Sequence, residues 1–188
     1  WSSDVCSSDL YENSVQISPQ LNPRGFISPI AEQALQYYKY KLLGSFTEDG
    51  QHIFKIKVTP KRKFEPLFAG YINVVDERWT IHSSNLLLTK ESQLQILDTL
   101  RIEQLYKYYN DSISFLASQV VYPAFKKFGF EGYGSFVNVY SGYNIESNFA
   151  SVFKDKIILK YQDSSNRKTI DYWNVVRPIP LEIGRAHV

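Results

Sequence analysis

Residues 38–60 read YKYKLLGSFTEDGQHIFKIKVTP. Phe54, Ile56 and Val58 fall on one side of an extended chain, and Lys55, Lys57 and Thr59 on the other. That alternation is a strand with one wet face. Asp49-Gly50 supplies the tight turn of a hairpin, and the tyrosine- and leucine-containing run before it is the partner strand. Pro60 and the KRK at Lys61–Lys63 end the second strand.

The same period continues outward. FAGYINVV, the turn DER and WTIHSSNLLL form a second hairpin. QLQILDTLRIEQLYKYY runs to Asn110-Asp111, SISFLASQVVYP follows, and FKKFGFEGYGSFVNVYSGYNI completes the set. In the last stretch Phe128, Phe130, Phe136 and Tyr140 alternate, with Gly132 and Gly134 on the same side. Glycine inside a strand marks a bulge or sharp bend. Consecutive strands with short turns pair as neighbours. The pattern predicts a mainly β domain over 28–162: about seven long antiparallel strands in a meander, curled into a half-open barrel.

Before the meander, 11–27 is polar and turn-rich and reads as an extended lead-in. Ser28-Pro29 reads as an N-cap with proline in the first turn, which predicts a short helix over about 29–37 packing on the sheet. After it, KDKIILKYQ is a candidate last strand. Residues 163–181 read as a loop and an extended, proline-containing exit.

Composition narrows the chemistry. The chain has 188 residues, with 14 Tyr, 12 Phe and 3 Trp. Aromatic and β-branched residues favour half-buried pleated surfaces. Asp4–Leu10 and Glu182–Val188 can be encoded by one DNA segment and its reverse complement, so 1–10 and 182–188 read as adapter-derived tails. Setting them aside removes Cys6 and His187, along with three carboxylates and one arginine, and the net charge moves from +2 to +4. That leaves no thiol nucleophile, no disulfide framework and too few ligands for a zinc site. The charge is too mild for a nucleic-acid footprint. No apolar run reaches the roughly 20 residues of a membrane helix. No cofactor is expected.

Several stretches invite a chemical reading. GYGSFVNVY at Gly132–Tyr140 is similar to an RNA-recognition octamer, but it carries an extra Ser135 and Glu131 stands where a basic residue is expected. KRK could meet phosphate or an anionic lipid surface, or simply be a solvated turn. Ser165–Lys168 fits S-x-x-K without its partner motifs. His52 and His82 sit in predicted strands and have no adjacent nucleophile signature. Asp98 shares an apolar face with Leu94, Ile96, Leu100 and Ile102. A carboxylate there must be paired or lie at the sheet's edge; the expectation is a salt bridge, for which Arg101 or Arg78 could supply the partner, or a bulge that turns Asp98 outward. Asn110-Asp111-Ser112 matches a glycosylation acceptor, or a tight turn. No catalytic, cofactor-binding or metal residue is assigned, and the chain reads as a non-enzyme.

NPRGFISPIAEQALQYYKYKLLGSFTEDG, IKVTPKRKFEPLFAGYINVVDERWTIHSSNLLLTK, LDTLRIEQ and YWNVVRPIPL together resemble the middle region of a Bacteroidota outer-membrane family of unknown function. The resemblance implies an N-terminal carboxypeptidase-regulatory-like, Ig-like domain and a C-terminal transmembrane β-barrel as neighbours. It implies a periplasmic position for this region, and it assigns no catalytic residues. The strand plan is also similar to the lipoprotein-carrier (LolA-like) half-barrel, whose curved sheet and helix enclose an apolar cavity. The expectation is a non-enzymatic periplasmic module acting as scaffold or in partner and assembly contacts. The alternative is a carrier or receptor for lipid, lipoprotein or another hydrophobic ligand on the concave aromatic face. A hydrolase is a third, weaker reading.

Overall fold

The computed structural model describes residues 9–108, 113–127, 129–140, 167–176 and 179. It divides into two compact units, 1–141 and 142–188.

The first unit is an antiparallel meander. In chain order its strands are β3 (Tyr38–Glu48), β4 (Gln51–Pro60), β5 (Ala69–Val75), β6 (Ile81–Thr89), β7 (Thr99–Tyr108), β8 (Ser114–Lys127), β9 (Phe130–Tyr133) and β10 (Phe136–Val139). They form one eight-stranded sheet among the described residues, in the order β10-β8-β7-β6-β5-β4-β3, with β9 also on β8. The sheet does not close into a barrel. β9 and β10 lie along the same edge of β8 in one continuous register, from Phe130 opposite Lys127 to Val139 opposite Ser118. Between them the Gly134 N–H still donates to Pro123 O at 3.1 Å. They are one bent strand in two pieces, which is why about seven strands were legible and eight are counted.

The turns follow local chemistry. Asp49 and Gly50 both have positive φ, 49° and 74°, the type I′ geometry that matches strand twist. A bulge at Leu43 separates Leu42, opposite Ile56, from Gly44, opposite Lys55. The expected alternation of β4 holds: Val58 is buried and Lys55, Lys57 and Thr59 are exposed.

One face of the sheet carries the core. Leu86 and Leu88 of β6, Leu100 and Ile102 of β7, and Val58 and Ile72 are all buried there. The lead-in over 11–27 covers this face and is more than extended chain. It contributes β1 (Ser14–Val15) and β2 (Phe26–Ile27), which pair antiparallel. Val15 and Phe26 are fully buried, and Phe26 packs on Phe68 with ring centroids 5.7 Å apart. Leu10 is also buried, and its carbonyl accepts from the Ser28 hydroxyl at 2.5 Å.

Two tyrosines of β3 hold the cover down. The Tyr38 hydroxyl donates to Ile27 O at 2.5 Å and accepts from the Phe68 N–H at 3.0 Å. The Tyr40 hydroxyl donates to Pro29 O at 2.6 Å, and burial pushes it up to about 12.

Two expectations need correction. The helix expected over 29–37 spans only Ala34–Tyr37. Ser28 does bond the Ile30 N–H at 3.2 Å, but the bonds that follow are of i→i+3 type, from Ala31 to Ser28, Ala34 to Ala31 and Gln36 to Gln33. These are successive turns, and only Ala34 of the helix is buried. The cover on the sheet is therefore mainly the lead-in. The exit expected to be extended over 163–181 is helical from Ile170 to Val176. The prolines of that stretch of sequence come after this span, so neither interrupts it. Within the second unit Tyr172 meets Trp173 edge-on at 5.4 Å, and Lys168 lies 4.6 Å over the Tyr172 ring. KDKIILKYQ, Ser165 and the Asn110-Asp111-Ser112 triplet lie outside the described residues.

Candidate functional site

The lead-in does not cover the whole core face. Toward β8 and β10 it leaves a half-open groove of about 400 Å3. Ile17 and Leu21 of the lead-in form one wall. Leu97, with Leu100 and Ile102 of β7, forms the floor, and Val121, Pro123 and Phe136 continue it to the sheet edge. This is the size range in which proteins hold small apolar ligands. Phe136, at 60 % exposure, stands at the open margin.

The groove also has a polar line. Register places Ser84 opposite Gln104, Gln104 opposite Gln119, and Gln119 opposite Asn138. The four residues form one row across β6, β7, β8 and β10. Ser84, Gln104 and Gln119 are at most 5 % exposed. The Ser84 hydroxyl donates to Gln104 Oε1 at 3.3 Å, and the Gln104 amide donates to Gln119 Oε1 at 2.9 Å. The Tyr106 hydroxyl also donates to Gln104 Oε1, at 3.3 Å, and burial raises its pKa. Gln119 and Asn138 line the groove. Thus the row begins in the core and ends at the open strand.

The residues singled out from sequence lie elsewhere. His52 Nδ1 is 3.0 Å from Asp76 Oδ2, with both side chains well exposed at the ends of β4 and β5. That hydrogen bond and one from the Glu77 N–H hold the Asp76 carboxyl below its ordinary pKa. Neither residue lines the groove. His82 Nδ1 is 3.1 Å from Ser83 Oγ, and its Nε2 is 4.0 Å from Glu48, beyond hydrogen-bond reach.

KRK borders a separate cavity of about 380 Å3. Carboxylates share it: Arg62 pairs with Glu65 at 3.1 Å and Lys63 with Glu91 at 3.6 Å. Lys61 instead donates to Leu35 O at 2.6 Å. No described group of His, Cys, Asp and Glu could hold a metal ion. No described helix is long and apolar enough to cross a membrane, which says nothing of strands.

Asp98 forms a salt bridge, as expected, but with Lys90 and not with Arg101 or Arg78. Lys90 and the Lys126 N–H bond its carboxylate, and its own N–H donates to Ala124 O at 2.9 Å. Arg101 lies 4.3 Å over the Tyr122 ring, and Arg78 lies 4.7 Å over Tyr108. The regular strand starts only at Thr99, so the expected apolar face does not extend back through Asp98.

The GYGSFVNVY motif is the bent edge strand. The Phe125 ring lies across Gly132, within 2.3 Å of where a Cβ would stand. Phe130 and Tyr133 point outward and are largely exposed.

Residues 2–143 match the model of a family of unknown function, DUF5686. The chain belongs to that family. The matched span includes every strand of the sheet and every wall of the groove. Neither a curated protein nor a solved structure matches the chain.

Neither the groove nor its amide row was named from sequence. The signal available was parity. Gln104 shares a strand face with Ile102 and Tyr106, and Ser84 shares one with Leu86 and Leu88, so both are polar residues at core positions.

Proposed function

We propose that this domain is a non-enzymatic binding module whose working surface is the apolar groove between the lead-in and strands β7, β8 and β10. The groove itself carries the reading. It is preformed, it is walled by aliphatic side chains, and it opens beside an exposed phenylalanine. Such a cleft with a few convergent polar groups is the ordinary form of a small-ligand site. The exposed His52–Asp76 pair, outside the groove, offers a substrate no enclosure. By its resemblance to the Bacteroidota family, the module would work on the periplasmic side of an outer-membrane protein. It would stand between an Ig-like domain and a β-barrel.

The test is titration of the full chain with the apolar fluorophore N-phenyl-1-naphthylamine. Saturable enhancement that Ile102→Trp abolishes, with the far-ultraviolet spectrum unchanged, is the expected result. Absence of saturable binding would remove the reading.

Scaffolding has its own support. Both sheet edges carry exposed apolar residues: Leu42, Leu43 and Phe46 on β3, and Phe136, Val137 and Val139 on β10. Open apolar edges are surfaces on which other chains pair. In this reading the edges dock the neighbouring domains. Co-expression of the chain with those domains would then protect the β3 and β10 amides from hydrogen exchange.

A further inference from the structure

We infer that the groove selects an acyl chain joined to a neutral hydrogen-bonding head, an amide or an ester, over a free fatty acid. The inference rests on the groove being a ligand site and specifies what enters it.

The apolar walls account for the acyl part. The head is specified by what stands among them. No Lys, Arg, His, Asp or Glu is among the described residues lining the groove. A carboxylate or ammonium entering it would lose water and gain no counter-charge, which is costly in an apolar setting. A neutral amide or ester needs only hydrogen bonds, and the amide row supplies them.

Asn138 is the member of the row that meets a ligand. Its Cα partner is Gln119, and it stands at the sheet edge on the groove wall. Its side-chain amide has no hydrogen-bond partner among the described residues, whereas Gln104 and Ser84 behind it bond one another. A primary amide offers one acceptor and two donors. It can therefore donate to an ester or amide carbonyl and accept from an amide N–H. The buried residues behind it hold the strands in the register that places it there. A head bonded at Asn138 leaves the acyl chain to run along Val121, Ile102 and Leu100 under Ile17 and Leu21.

The experiment is displacement of bound N-phenyl-1-naphthylamine from the full chain at pH 8, where a free fatty acid is ionised. N-methyl myristamide and myristate are compared below their aggregation limits. The amide is expected to bind about ten-fold more tightly, the worth of one good hydrogen bond against a desolvated charge. Asn138→Leu is expected to erase most of that preference, with each displacement referred to the variant's own affinity for the fluorophore. Equal or tighter binding of myristate would overturn the inference and leave the groove reading standing, as would a preference that survives Asn138→Leu. A chain that binds no fluorophore would overturn both.

Discussion

The Gln104 amide donates to the Gln119 side-chain oxygen across 2.9 Å, at the centre of a hydrogen-bonded row with almost no solvent contact. The two residues are not equivalent. Gln104 Oε1 also accepts from Ser84 and Tyr106, whereas Gln119 faces the groove. Removing one partner of a buried hydrogen bond costs more than the bond gains, because the orphaned group remains desolvated. Gln104→Leu should therefore destabilise by about 3 kcal/mol, and Gln119→Leu by about 1 kcal/mol. The double variant should fall short of the sum of the two. Urea denaturation of the four proteins measures the coupling. Additive losses would mean that the row is not one network.

Tyr38 links three parts of the chain through one hydroxyl. It donates to Ile27 of the lead-in and accepts from Phe68 at the entry to β5. Tyr38→Phe keeps the ring in place and leaves the Phe68 N–H buried without that partner. The expected loss is about 1–3 kcal/mol in urea, with little change in m-value. Hydrogen exchange should accelerate first at Phe68 and in β2. A uniform acceleration across the sheet would show that the lead-in is not held separately by this contact.

The meander was legible because hairpins announce themselves locally. Lys55, Lys57 and Thr59 alternate with Phe54, Ile56 and Val58, and Asp49-Gly50 occupies the two positive-φ positions that few residue pairs tolerate. The lead-in was not legible because Val15, Ile17, Leu21 and Phe26 follow no period. Val15 and Phe26 are buried, and Ile17 and Leu21 partly so, by what they meet on the sheet, which is a tertiary fact. The helix expected over 29–37 is shorter than that for a related reason. Ser28 does bond the Ile30 N–H, but the chain must reach Tyr38 in position to bond Ile27. The groove was legible only as a general expectation of an apolar concavity. Its walls come from three distant stretches, and its polar row appears only when the strand registers are aligned.

Asp98 gives a pH-dependent prediction. Bonds from Lys90 and from the Lys126 N–H hold its carboxyl below the ordinary 3.8. A carboxyl lowered by folding contributes stability that is present above the unfolded pKa and is lost as pH falls through the folded one. Asp98 therefore supports the fold at neutral pH, and that support fades as pH drops below 3.8. Asp98→Asn retains an acceptor for the backbone and loses the charge. Its urea midpoint should lie below that of the parent at pH 7 and converge on it in acid. Lys90→Gln should reproduce the trend. A gap between parent and Asp98→Asn that stays constant from pH 7 to pH 2 would rule out the ionised carboxylate as its source.

Gly70 is a tightly constrained backbone position in the sheet. It lies between Val58 and Leu86 with φ of 145°, and an added Cβ would come within 2.2 Å of Asn85 O. The obstacle is the backbone of β6, so no side chain can rotate to relieve it. Gly70→Ala must either strain its own backbone or separate β5 from β6, at about 3 kcal/mol or more. Separation would also shift Leu86 in the row that runs through Ile102 and Val121 to the groove. The variant is expected to melt well below the parent and to bind N-phenyl-1-naphthylamine more weakly even where it remains folded. Gly134→Ala is the matched control, since a Cβ there meets nothing within 4 Å. It should leave both the melting temperature and the titration close to those of the parent, and equal losses in the two variants would show that close approach of β5 and β6 is not what Gly70 provides.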